Sequence, residues 1–160
     1  MRLAGSRVLL YGAGGVARAV AFALAQGGAV VCVAARRPAQ ARQLAHAAGG
    51  EAMDPRRLAG EYFDAIVNCT PVGMHPETDV SAVPAPFLHR DLAVMDIVYN
   101  PMKTQLLADA EARGLRTISG VEMFVNQAVI QFELWTGQTA PREAMRDVVL
   151  EHLRAESTTR

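Results

Sequence analysis

The sequence predicts an α/β protein: a doubly wound, parallel sheet of about six strands with helices on both faces. Three observations point there. Short apolar runs alternate with helical patterns along the chain, as parallel strands joined by crossover helices do. The run 29–34 is nearly all apolar, which suits a central strand buried on both sides. The first run, Val8 to Tyr11, breaks into glycines just before an alanine-rich helical pattern, the order of a tightly wound first crossover.

Taken in order, Val8–Tyr11 is the first strand and Gly15–Gln26 the first helix, stopped by Gly27-Gly28. Ala29–Ala34 is the second strand, and Pro38 opens a helix that runs to about Ala48 before Gly49-Gly50. A short third strand is expected near Glu51–Met53. Asp54-Pro55 then reads as an N-cap followed by proline in a first helical turn. Asp64–Cys69 is the fourth strand, followed by an irregular, proline-rich loop from Thr70 to about Pro86. Leu92–Val98 is the fifth strand, Thr104–Arg113 a helix ended by Gly114, and Leu115–Ile118 the sixth strand.

From Gly120 the pattern changes. Val121, Phe124, Val125, Ala128, Val129, Phe132 and Trp135 fall at helical spacing on one face, and Met123, Gln127, Ile130 and Leu134 form a second stripe. A helix apolar on two sides is usually buried on two sides, and a chain this short has material to cover only one. After Gly137, Thr139 and Pro141 start a last helix to about Leu153, with a frayed charged tail to Arg160. Two units result: residues 1–119, and a C-terminal helical segment, 120–160.

At 160 residues the chain fits one domain able to bury about 70% of its unfolded surface. Lys plus Arg equals Asp plus Glu, a formal net charge of zero, which argues against nucleic acid or an anionic membrane as partner. The two cysteines, Cys32 and Cys69, fall in predicted strands and read as buried thiols of a reducing compartment, not a disulfide framework. No apolar run is long enough for a membrane span, and the first residues do not resemble a signal peptide. A cytoplasmic location is expected.

The chemistry centres on Gly12-Ala13-Gly14-Gly15-Val16-Ala17. Gly12 permits the turn, Gly14 lets backbone approach a pyrophosphate, and Ala17 fills the third place of G-x-G-x-x-G/A, where helix and strand pack closely. The free N–H groups of the first helical turn then face the anion. The plain alternative is a structural turn with no ligand.

After the second strand comes Ala34-Ala35-Arg36-Arg37, where an NAD-binding site would carry an acid for the ribose 2′-OH. Two guanidiniums can instead make forked hydrogen bonds to the 2′-phosphate of NADP. Two solvated arginines are the alternative, although cations at a helix start oppose its dipole. Asn68-Cys69-Thr70-Pro71-Val72-Gly73-Met74 and Asp96-Ile97-Val98-Tyr99-Asn100-Pro101 follow the fourth and fifth strands, on the edge where open α/β sheets bind ligands. The first can lay Thr70 against a cofactor; the second can equally be a strand-ending Asn-Pro turn. The four histidines have no partners at ligand spacing: His75 lies in the crevice loop, and His46, His89 and His152 read as surface residues. No metal site is expected.

Together these motifs, with Thr104, Leu106-Leu107, Gly120-Val121-Glu122-Met123-Phe124-Val125-Asn126-Gln127-Ala128 and Gln131–Gly137, resemble shikimate dehydrogenase in order and rough spacing. The likeness is strongest to the dehydrogenase portion of fused dehydratase–dehydrogenase enzymes. The resemblance implies a Rossmann-type domain that binds NADP(H), in enzymes that reduce 3-dehydroshikimate to shikimate in aromatic amino-acid biosynthesis. It places Gly120 and Met123 beside the nicotinamide, with Tyr99 and Gln127 near the substrate. The expected cofactor contacts are Gly12, Ala13, Gly14, Gly15, Val16, Ala35, Arg36, Arg37, Cys69, Thr70, Pro71, Val98, Gly120 and Met123. The family's usual Asn-Arg-Thr at the 2′-phosphate is here Ala35-Arg36-Arg37, keeping the central arginine without its small polar flanks.

The family's general acid/base lysine, its aspartate partner and the serines that grip the substrate carboxylate belong to an N-terminal lobe with no counterpart in these residues. The only lysine, Lys103, matches no catalytic position, so no catalytic residue is assigned. Hydride transfer to a ketone needs a proton donor. The chain is therefore expected to be the cofactor-binding part of a truncated or split dehydrogenase, inactive or nearly so alone. Its uncovered helix, 120–136, is expected to promote self-association. The competing reading is a non-catalytic nucleotide-binding or interaction module; related quinate or aminoshikimate dehydrogenases stay open within the first reading.

Overall fold

The computed structural model describes residues 2–58, 60–89 and 91–158. Six parallel strands form one sheet: β1 (Arg7–Tyr11), β2 (Val30–Ala34), β3 (Glu51–Met53), β4 (Ala65–Asn68), β5 (Ala93–Asp96) and β6 (Arg116–Ile118), in the order β3-β2-β1-β4-β5-β6. Helices α1 (Gly15–Gln26), α2 (Pro38–Ala47) and α3 (Gln105–Glu111) are the crossovers, followed by α4 (Gly120–Thr136) and α5 (Arg142–Thr158). The chain builds outward from β1 through β2 to β3, then returns to β4 on the other side of β1. That reversal opens a crevice at the carboxyl ends of β1 and β4, the general ligand position of such sheets.

The near-continuous apolar strands have the cause expected of them. Val8, Leu10, Val31, Val33 and Val67 pack one face against Ala17 and Ala21 of α1 and Ala41 and Leu44 of α2. Leu9, Cys32, Ile66 and Val94 fill the opposite face with Leu58, Phe63, Val83, Leu106 and Leu107. A third cluster joins α4 to α5 through Val121, Val125, Val129, Ala140 and Leu153. Glu122 accepts from Arg146 at 3.0 and 3.1 Å across the same helix pair.

Four local expectations are corrected. Asp54 caps Arg56 N at 2.9 Å, but it opens only a single 3-10 turn, Pro55–Arg57, because the two successive arginines lead into no further apolar helical repeat. Cys69 lies just beyond β4, buried in the turn. His89 is partly buried, its ring stacked on Tyr62 at 4.9 Å. Helix α5 continues past Leu153 to Thr158, since no glycine or proline interrupts 142–158; positions 159 and 160 of the expected tail lie outside the described residues.

Only one side of α4 is covered, as its double stripe predicts. Val121, Val125 and Val129 are buried, whereas Ile130 and Leu134 are 64% and 77% exposed. Phe124 and Trp135 depart from the expected buried face, at 38% and 76% exposed; Trp135 is on the last turn before Gly137, which ends the helix in the left-handed conformation at φ 68°.

Candidate functional site

The crevice is assembled from three strand ends. Gly12 leaves β1 at φ 121°, and its N–H donates to the Ala34 carbonyl at 2.7 Å. A Cβ on Gly12 would lie 2.8 Å from the Cys69 carbonyl oxygen and 3.0 Å from Thr70 Cγ2. Both dihedral and space therefore demand glycine here. The turn after β1 and the turn after β4 touch, and Cys69 N–H donates to the Tyr11 carbonyl at 2.8 Å.

Gly14 and Gly15 differ. Gly14 caps α1 at φ −84° and ψ −169°, a conformation open to any residue. A Cβ on either glycine would meet nothing within 4 Å. No protein atom requires glycine at these two places. What their missing side chains leave is bare backbone, exposed beside the exposed Val16, at a helix N-terminus whose first turn carries no acid. Such an edge accepts an anion closely.

At the end of β2, Ala35 is buried while Arg36 and Arg37 are exposed. Arg37 is the N-cap residue of α2, and no acidic residue occupies the first turn of that helix either. Among the described residues neither arginine joins an ion pair, in contrast to Arg7, which salt-bridges Glu61 at 2.7 Å and Glu51 at 3.4 Å.

The other wall holds a buried polar cluster whose roles were not assigned from sequence. Asn68 and Asp96 are register partners at the ends of β4 and β5, and both are fully buried with Thr104. Asn68 Nδ2 donates to Asp96 Oδ1 at 2.9 Å, and Asn68 Oδ1 accepts from Thr70 N–H at 3.0 Å and Thr70 Oγ1 at 2.7 Å. Val98 N–H donates to Asp96 Oδ1 at 3.0 Å, and Thr104 Oγ1 to Oδ2 at 2.7 Å. Burial pushes the Asp96 carboxyl above its ordinary range, while the bonds from Val98, Thr104 and Asn68 pull it back. The signal for this cluster was available: a polar residue ends each of two apolar strands, and a threonine stands where α3 needs its cap. Burial and the neighbouring charge of Asp96 push the Cys69 thiol up to about 12, so it is no nucleophile at neutral pH.

Gly120, expected beside a nicotinamide, is buried for a packing reason: its Cβ would come within 2.4 Å of the Ile97 carbonyl oxygen and 2.5 Å of that of Val98. The start of α4 is thereby held against the turn after β5. Tyr99 stacks on Phe124 at 4.7 Å and is 40% exposed. Met123 is half-buried; Pro71 and Gln127 are exposed, and Ala13 and Thr70 partly so. The structure thus gathers Gly12–Val16 with Cys69–Pro71, and Val98 with Gly120. It leaves Tyr99 on the Phe124 side of α4, and Gln127 on the stripe shared with Ile130.

Among the described residues no three His, Cys, Asp or Glu side chains gather as a metal site, and no helix is long and apolar enough to cross a membrane. Lys103 pairs on the surface with Glu111 at 2.5 Å. A groove of about 380 Å³ between α4 and α5 is lined only by apolar side chains, among them Phe124, Ala128, Met145 and Val148. It offers nothing to orient a nucleotide.

Comparison with known proteins agrees with the fold. Residues 120–150 match the family model of the shikimate 5′-dehydrogenase C-terminal domain. The NADP(+)-type shikimate dehydrogenase of Methanosarcina acetivorans is 42% identical over 97% of this chain, which spans 59% of that relative. The Thermus thermophilus shikimate 5-dehydrogenase, solved with NADP(H) and shikimate, superposes with a TM-score of 0.84 at 36% identity, covering 93% of this chain and 56% of that one. A Corynebacterium glutamicum quinate dehydrogenase solved with NAD gives 0.84 at 35% identity, over 91% of this chain and 55% of that one. The chain spans little more than half the length of these proteins. In sequence and in fold, it matches the C-terminal, NADP-binding portion of the shikimate dehydrogenases.

Proposed function

We propose that the chain binds NADP(H) across its crevice and serves as the cofactor half of a dehydrogenase that interconverts 3-dehydroshikimate and shikimate. The observation that carries this reading is the exposed backbone at Gly14 and Gly15, glycines that no neighbouring atom requires, beside two exposed arginines that have no carboxylate partner among the described residues. The pyrophosphate lies on the N-terminus of α1, over Ala13–Val16. The 2′-phosphate lies between Arg36 and Arg37 at the N-terminus of α2, against the small Ala35. Cys69, Thr70 and Pro71 line one side of the dinucleotide, and Val98 with Gly120 and Met123 borders its nicotinamide end.

When bound, the dinucleotide supplies the hydride. This chain's residues hold it and shape one wall of the substrate site, to which Tyr99 and Gln127 contribute. The proton donor and the groups that grip the substrate carboxylate come from a substrate lobe outside these residues. In this reading 1–119 is the cofactor domain and 120–160 the segment that returns to the lobe. The exposed Ile130 and Leu134 are the surface the lobe covers, and without it they drive self-association.

Isothermal titration with NADPH and NADH tests the reading. Two charge-assisted guanidinium contacts to the extra phosphate predict NADPH tighter than NADH by at least about tenfold. Arg36→Ala with Arg37→Ala should level the two. Equal binding by the unaltered chain, or no heat with either, would overturn it. Supplying a separate substrate lobe and comparing shikimate with quinate as hydride donors identifies the substrate; preference for quinate would replace shikimate in the proposal.

A further inference from the structure

The buried cluster behind the crevice has a cost that the sheet alone does not explain. Apolar side chains would fill the ends of β4 and β5 without desolvating a carboxylate, and a buried polar group that loses one partner is expensive. Asp96 is nevertheless buried with three neutral donors and no basic partner among the described residues. What the polar choice adds is direction, since a fully satisfied network fixes a unique local geometry.

The directions are specific. Thr104, the N-cap of α3, has its hydroxyl on Asp96 Oδ2. Asp96 Oδ1 fixes the N–H of Val98, whose carbonyl abuts Gly120, and the amide of Asn68. Asn68 in turn holds Thr70 through two bonds and reaches the Val72 carbonyl at 3.3 Å, while Thr70 Oγ1 accepts from Val72 N–H at 3.2 Å. One chain of hydrogen bonds therefore runs from α3 through β5 to the turn after β4. None of its bonds involves Gly14, Gly15, Arg36 or Arg37.

We propose that Thr104, Asp96 and Asn68 are positioning residues: their hydrogen-bonded relay sets the turns at Thr70–Val72 and at Val98 to accept the nicotinamide half of the dinucleotide, leaving the phosphate half independent. The proposal rests on the reading that the crevice takes NADP(H). It assigns a binding role to Thr104, a residue sealed from the crevice and able to act only through Asp96.

Two ligands separate the halves. NADPH engages both, whereas adenosine 2′,5′-bisphosphate carries the adenosine and 2′-phosphate without a nicotinamide. Thr104→Val keeps the volume and deletes the hydroxyl that satisfies Asp96 Oδ2. Loss of one buried charge-assisted bond predicts NADPH affinity lowered about tenfold, with the bisphosphate unchanged and Thr104→Ser retaining both affinities. Should Thr104→Val unfold, Asn68→Ala removes the two bonds that hold Thr70 from a residue buried behind the crevice and must produce the same split. Unchanged NADPH binding in a folded variant, or equal weakening of both ligands, would overturn the relay while leaving the cofactor reading standing. An unaltered chain that binds neither ligand would overturn both.

Discussion

Replacing Gly14 and Gly12 by alanine, one at a time, separates what the fold needs from what a ligand needs. At Gly14 the backbone sits at φ −84° and the new methyl would meet no atom within 4 Å. Stability should therefore change by less than about 1 kcal/mol, since alanine restricts the unfolded chain but is a poorer N-cap than glycine. At Gly12 the methyl would lie 2.8 Å from the Cys69 carbonyl oxygen, on a residue held at φ 121°. Backbone strain of about 1–3 kcal/mol adds to overpacking of about 1–3 kcal/mol. For a chain of this size each lost kcal/mol lowers Tm by roughly 2–4 °C, so Gly12→Ala should melt at least about 5 °C early. The same Gly14→Ala methyl stands where the pyrophosphate approaches, and should weaken NADPH by at least about tenfold, or about 1.4 kcal/mol. Calorimetry for binding and circular dichroism for melting read the two effects independently. A Gly14→Ala chain that binds NADPH normally, or that melts as early as Gly12→Ala, would refute the reasoning.

Ile130→Glu places a charge in the exposed stripe and should convert a self-associating chain to a monomer in sedimentation velocity; a chain monomeric at high concentration before substitution would contradict the patch argument. The two buried cysteines should resist an aromatic disulfide reagent until guanidinium unfolds the protein: burial pushes both thiols up, and at pH 8 the Cys69 thiol, with a pKa of about 12, is thiolate in only about one molecule in ten thousand. The same shift has a pH sign. The folded chain keeps the Cys69 proton that the unfolded chain releases, so stability falls as pH rises from about 9 to about 12, by up to about 1.4 kcal/mol per pH unit. Cys69→Ala should flatten that alkaline limb in pH-dependent denaturation.

The strand runs and glycine breaks predicted the sheet because each reports a local cause: two-sided burial for the runs, and a backbone turn for Gly12. Helix α4 was legible for the same reason, its second stripe showing in the exposed Ile130 and Leu134. Trp135 was misplaced since periodicity gives an angle around the helix and not how far the covering helix α5 extends. The role of Asn68, Asp96 and Thr104 stayed hidden because it depends on the register that sets Asn68 against Asp96 across neighbouring strands, a long-range pairing that no local pattern contains. Gly120 drew attention for a ligand, yet its smallness answers to the carbonyls of Ile97 and Val98. The glycines at 14 and 15 are the converse: no neighbouring atom asks for them, which leaves the close approach of a ligand, read for Gly14 from the motif, as the reason for glycine there.

The central claim is that a dinucleotide lies across the glycine edge of this sheet with its extra phosphate at the paired arginines. An amide-resolved NMR titration of the ¹⁵N-labelled chain with NADPH tests it directly. Saturable shifts at Gly14, Gly15 and Val16 and at Arg36 and Arg37, with NADH failing to move the arginines, is the predicted result. Shifts confined to the groove between α4 and α5, or none at all, would contradict it.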